Sequence, residues 1–198
     1  MRPFLLALLL LPGWSALPAQ WRVAVLSGTA ASHGDARDEI DPAHPEIRAD
    51  GPATVAVALT RERGSWRLGW ELHRTSADLA EISASAGVST RGVLTAWGAA
   101  FDLARRIAGR DEAPALHLLL GAGIDRWTFA LSESAPRWRG TARGAVEAGL
   151  PINPAWSAVI RGQATAGPSV FTAAELPEGF APRTALRIGI VLGVSRRL

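Results

Sequence analysis

Apolar residues recur at every second position in eight separate stretches of this 198-residue chain, and beyond the N-terminal leader they never run together for long. A period of two belongs to a β-strand with one greasy face, so the chain is committed to a sheet of amphipathic strands. The last stretch is the clearest. Leu186, Ile188, Ile190, Leu192 and Val194 alternate with Arg187, Gly189, Val191, Gly193 and Ser195. Alone it is ambiguous, because a soluble sheet turns such a face inward and a membrane-spanning sheet turns it to lipid.

The other stretches repeat the pattern. Trp21 to Ala30 sets Trp21, Val23 and Val25 on one face, and a polar segment from Ser32 to Gly51 follows that is expected to be a long exposed loop. Ala53 to Arg61 meets the stretch beginning at Trp66 across Glu62-Arg63-Gly64, which is a hairpin signal. Ser76 to Thr90 is small and polar and fits either a strand extension or a loop. Further strands are expected over Arg91 to Leu103, Ala115 to Phe129, Trp138 to Leu150 and Ala155 to Ala166, with Arg105 to Pro114 as a charged turn and Gly167 to Pro182 as a Pro-rich loop. Connection lengths run alternately long and short, as in an up-and-down barrel whose two rims face different compartments.

The first 19 residues have the form of an export signal. Arg2 supplies the positive charge, Phe4 to Leu11 the apolar core, and Pro12-Gly13 a break before cleavage after Ala19, although Leu17 stands where a small residue is usual. That apolar run is about half of the roughly 20 residues a spanning helix needs. Residues 20–198 then form one domain. The chain has no Cys, so an exported protein of this kind is stabilised by sheet closure or membrane embedding and not by disulfides. Its net charge is +3, and its basic residues are scattered arginines without a stripe of stacking aromatics, which argues against nucleic-acid binding. Eight Trp and a mean hydropathy of +0.13 are high for a small secreted chain, whereas a membrane barrel makes its lipid contact in alternate residues.

Two sets of candidate residues follow from the alternation. Trp21, Trp66, Trp156 and Phe101 fall where strands begin or end at the short-turn side, and Trp127 and Trp138 flank a connection at the opposite side, so the six are expected to form two interfacial aromatic girdles. Trp70 lies mid-strand. On the other face, Arg67, Glu71, Asp125, Arg139, Arg143, Glu147, Arg161 and Arg187, with His73 and Gln163, point into the barrel. Buried charges persist only when paired, so Glu71 and Glu147 are each expected to meet arginines from neighbouring strands and to plug the lumen.

Catalytic signals are sparse. His73, Ser76 and Asp78 are the one grouping compatible with lipid acyl chemistry, but His-x-x-Ser is weak evidence for a triad. His117 lies among leucines and is expected to be a packed residue. The His and carboxylates between His33 and Glu46 lack the spacing of a calcium loop, and no cofactor or metal site is expected.

Leader, eight alternating strands, aromatic rims and a final amphipathic strand together resemble the small bacterial outer-membrane β-barrels of the OmpA/OmpX type. The resemblance implies an all-β, eight-stranded antiparallel up-and-down transmembrane barrel in the Gram-negative outer membrane. It implies outer-membrane lipid and the barrel-insertion machinery as partners, the latter through the C-terminal strand, and a monomer. Members of that group commonly end in an aromatic residue, whereas the last residues here are Arg196-Arg197-Leu198, and the peptidoglycan-binding domain that some members carry is not expected. The expected function is non-enzymatic, structural or surface-binding through the outer loops. The alternatives are a secreted or periplasmic lipocalin-like barrel, which would turn the aliphatic face inward, and a lipid-modifying enzyme.

Overall fold

A computed structural model describes residues 20–40, 46–82, 87–110, 113–130 and 135–198. The expected leader and cleavage site lie outside the described residues, as do Asp41 and His44 of the first long connection.

The strands are β1 Gln20–His33, β2 Ala36–Asp38, β3 Glu46–Arg63, β4 Trp66–Ile82, β5 Gly87–Ala108, β6 Ala115–Phe129, β7 Arg137–Pro151, β8 Trp156–Pro168, β9 Phe180–Pro182 and β10 Thr184–Arg197. Eight of them form a closed antiparallel ring in the order β1, β10, β8, β7, β6, β5, β4, β3, which returns to β1. Closure is made on both sides of β1, by pairs from Arg22↔Arg197 to His33↔Leu186 and from Gln20↔Glu62 to Thr29↔Ala53. A closed ring leaves no unpaired strand edge, which is what a sheet in hydrocarbon requires.

One rim carries tight connections. Gly64 turns β3 into β4 with φ of 60°, a left-handed conformation that glycine adopts without strain. At the other rim β3, β4 and β5 extend beyond the ring. There β2 pairs with both β3 and β9, continuing the same sheet past β3, and an apolar cluster that includes Ala36, Val170 and Phe171 forms a cap at this barrel mouth.

The segment expected to be an exposed loop, Ser32 to Gly51, is therefore corrected. Its later part is the start of β3, and Ala36, Ile47 and Ala49 are buried with Val170 and Phe171. Charges at every other position hide a short alternation that only the cap buries. Likewise Ser76 to Ile82 continues β4, and Arg105 to Ala108 continues β5 rather than forming a turn.

The aliphatic face points outward all round the ring. Val25, Leu72, Leu120 and Ile190 are 59, 67, 66 and 59% exposed, and Leu186, Ile188, Leu192 and Val194 lie on the same outer wall of β10. Leaving one such side chain in water instead of burying it costs about 1.5 to 3 kcal/mol. A full belt of them is stable only against lipid. The lipocalin-like alternative needs the opposite orientation and is not the one this chain adopts.

Candidate functional site

Inside the ring, alternation delivers the polar residues of every strand to one axis, and closure decides who meets whom. Arg161 on β8 and Glu147 on β7 are direct cross-strand partners, joined from Nε to Oε2 at 2.9 Å. Arg161 also donates from Nη1 to Glu71 Oε2 at 2.7 Å on the far wall. Arg67 closes on Glu147 Oε1 at 2.6 Å, and Arg143 reaches Glu71 Oε1 at 2.6 Å. Glu71 and Glu147 thus each hold two guanidiniums, and the lattice crosses the whole lumen.

Asp102 completes the lattice and was absent from the expected set. Arg143 Nε donates to its Oδ1 at 2.5 Å, and a second bond joins Nη2 to Oδ2. The two residues lie on β7 and β5, with β6 between them. In register they are separated by Gly121, which pairs with Asp102 on one side and Arg143 on the other. A Cβ there would strike Asp102 Oδ1 and the Phe101 carbonyl, so the missing side chain is what lets the arginine reach across. Asp102 shares its strand face with Gly98 and Ala100, and that parity was the available signal.

The same device recurs one layer up. His73 on β4 and Asp125 on β6 meet at 2.9 Å over Gly98 of β5, which is paired with both. Asp125 is also 3.9 Å from Arg187, whose guanidinium lies 4.9 Å over the Trp127 ring. Below the lattice, Glu62 faces inward 3.4 Å from Arg22 and 3.7 Å from His117. Sequence spacing places Glu62 in the hairpin turn, but β3 runs on to Arg63, which gives Glu62 inward parity. Arg22, Arg67, Arg143 and Arg161 balance Glu62, Glu71, Asp102 and Glu147, so the formal charges of this group cancel. The interior beside them holds small cavities of about 50 and about 10 Å3.

Arg139 does not join the lattice. It donates from Nε to the Ser169 carbonyl at 2.6 Å, while Arg137 donates to the Val170 carbonyl at 2.9 Å and pairs with Glu175. Both hold the segment after β8 over the barrel mouth. Asp35 secures the same cap from the opposite side, accepting N–H groups of Ala49 at 3.1 Å and Val170 at 3.3 Å. It is fully buried, and burial pushes its carboxyl above the ordinary value against the lowering effect of those donors and of Arg187.

Of the expected girdle, Trp21, Trp66, Trp138 and Trp156 are outward and exposed. Phe101 is also on the outer face, packed edge-on against Trp70, which in turn stacks on Trp21. Trp127 is a correction. It is 1% exposed and sits within the apolar cluster under the cap, because it shares inward parity with Asp125 two residues before it. Its place beside a connection in the sequence suggested a rim, and that was the wrong signal.

The His73, Ser76 and Asp78 grouping is not assembled as a triad. His73 points into the lumen while exposed Ser76, three residues on, faces the other side of β4, and Asp78 accepts the Gly92 N–H at 2.7 Å. Among the described residues no group of His and carboxylates suits a metal ion.

No protein-family model matches the sequence, and neither does any curated protein. Solved structures do match the fold. The outer membrane protein OprG of Pseudomonas aeruginosa superposes with a TM-score of 0.61 at 9% identity, over 91% of this chain and 96% of OprG. Neisserial surface protein A superposes with a TM-score of 0.56 at 8% identity, over 92% of this chain and 100% of that one. The chain has the antiparallel up-and-down barrel fold of these small outer-membrane proteins.

Proposed function

We propose that this chain is a monomeric, non-enzymatic outer-membrane barrel with a plugged lumen, structural or surface-binding at its long-loop end. The observation that supports a plug is the lattice of Arg67, Arg143 and Arg161 with Glu71, Asp102 and Glu147, which bridges facing walls of the barrel. Salt-bridged side chains in this lattice fill the space that a conducting pore would leave to water. Support for the membrane comes from the outward aliphatic belt, and for the outer membrane in particular from the shared barrel fold. The C-terminal strand β10, apolar on its outer face to within a few residues of Leu198, suits the role of insertion signal.

Purified protein reconstituted in planar lipid bilayers tests the plug. It is expected to give no unitary conductance steps, whereas removing both Arg143 and Arg161 is expected to produce them. Stable channels formed by the unaltered chain would overturn the plugged reading. A lipid-modifying activity has no such support, since its candidate His and Ser face opposite sides of one strand.

A further inference from the structure

One row of the outer surface departs from the aliphatic belt. Arg74 on β4 pairs across the sheet with Trp97 on β5, Trp97 with Arg126 on β6, and Arg126 with Trp138 on β7. The row therefore reads Arg, Trp, Arg, Trp over four consecutive strands at one height. All four side chains are exposed, with Trp97 and Trp138 at 60 and 59%, and the Arg74 guanidinium lies 5.8 Å over the Trp97 ring. One step toward the short turns the same face carries Leu72, Ala99, Ile124 and Gly140. One step toward the long connections it carries Ser76, Thr95 and Thr128. The row thus marks the boundary between lipid tails and headgroups on the long-loop side.

Among the described residues no carboxylate pairs with Arg74 or Arg126, and none stands on this face at neighbouring positions of β4 to β7. That separates them from Arg67, Arg143 and Arg161 of the lumenal lattice, each engaged by at least one carboxylate. Two uncompensated guanidiniums two strands apart are about 10 Å from one another, with indole faces between and beside them. Guanidinium forks bind phosphate oxygens in pairs, and indoles favour the interfacial level and stack on the guanidinium.

The geometry points to a lipid-binding site: Arg74 and Arg126, framed by Trp97 and Trp138, hold the phosphates of a glycolipid in the leaflet that faces the long loops. This inference rests on the membrane placement proposed above. The lipid's acyl chains lie along the Leu72, Ile124 wall, and its sugar-phosphate head lies on the row. Other Arg–Trp pairs, Arg105 over Trp66 and Arg196 over Trp156, sit at the short-turn rim, away from this row.

The test uses full-length protein folded in zwitterionic detergent and reads Trp emission during titration with three probes. These are diphosphorylated lipid A, the same glycolipid with its phosphates removed, and inorganic phosphate. Saturable binding is expected for the first probe alone. Substituting both arginines, R74Q with R126Q, is expected to weaken it about tenfold or more, while R105Q with R196Q leaves it unchanged. Equal binding of the phosphate-free lipid, or no loss in the R74Q/R126Q protein, overturns the site. Competition by inorganic phosphate at comparable concentration overturns a lipid source for the anion. Heat-modifiable gel mobility, measured on every sample, keeps a failed barrel distinct from a failed site.

Discussion

Arg143 and Asp102 face each other across an intervening strand, joined at 2.5 Å over Gly121. The pair depends on a residue that has no side chain of its own. Replacing Gly121 by Ala is expected to displace the Asp102 carboxylate, because the added carbon also meets the Phe101 backbone and has no room to shift. Breaking a buried pair of this kind costs about 3 kcal/mol or more. Thermal unfolding in detergent should show a lowered midpoint for G121A. Gly162→Ala, where nothing lies within 4 Å, should leave the midpoint unchanged, and equal midpoints for the two variants would remove Gly121 from the account.

Glu147 holds Arg67 and Arg161 at once, so its loss leaves two guanidiniums uncompensated. Glu147→Ala is expected to destabilise the barrel by about 3 to 5 kcal/mol. Adding Arg161→Met should recover part of that loss, since it removes one of the stranded charges. A double-mutant cycle read by unfolding in denaturant measures the coupling, and strict additivity would show that Glu147 and Arg161 act independently.

Asp35 sits outside the spanning strands, and its pH dependence has a definite sign. Its folded-state carboxyl titrates above the ordinary value, so the folded form holds the proton more tightly than the unfolded one. The stabilisation is complete below the ordinary carboxylate range, near pH 4, and is lost as pH rises through the raised value. Asp35→Asn cannot titrate. The unaltered protein should therefore lose unfolding temperature relative to D35N as pH rises above about 4, and parallel pH profiles would exclude Asp35 as the source.

Trp127 is enclosed under the cap while Trp97 and Trp138 face lipid. In bilayers of brominated phospholipid, the emission that survives quenching is expected to come from Trp127. Trp127→Phe should remove that fraction and leave the quenched one intact. An unchanged residual emission in W127F would place Trp127 on the lipid side after all.

Strand faces were legible because side-chain parity is a local property. Leu186 and its alternating partners on β10 declare a greasy wall, and parity alone puts Glu71, Arg143, Glu147 and Arg161 on the polar faces of their strands. Segment ends were less legible. Glu46 to Ala49 reads as polar loop because half its residues are charged, yet Ile47 and Ala49 are buried by a cap that comes from far along the chain. Trp127 shows the same limit, since nearness to a connection says little about depth when strands overrun the ring.

By itself, then, the sequence determined that the chain forms amphipathic strands, which face of each is apolar, and which charges share the other face, because a period of two needs only neighbours on the chain. Tertiary structure decided the pairings. Whether Arg143 meets Asp102, whether His73 meets Asp125, and whether Arg74, Trp97, Arg126 and Trp138 stand level depend on the stagger with which the strands close into a ring. That stagger is set by all eight strands together and not by any one of them.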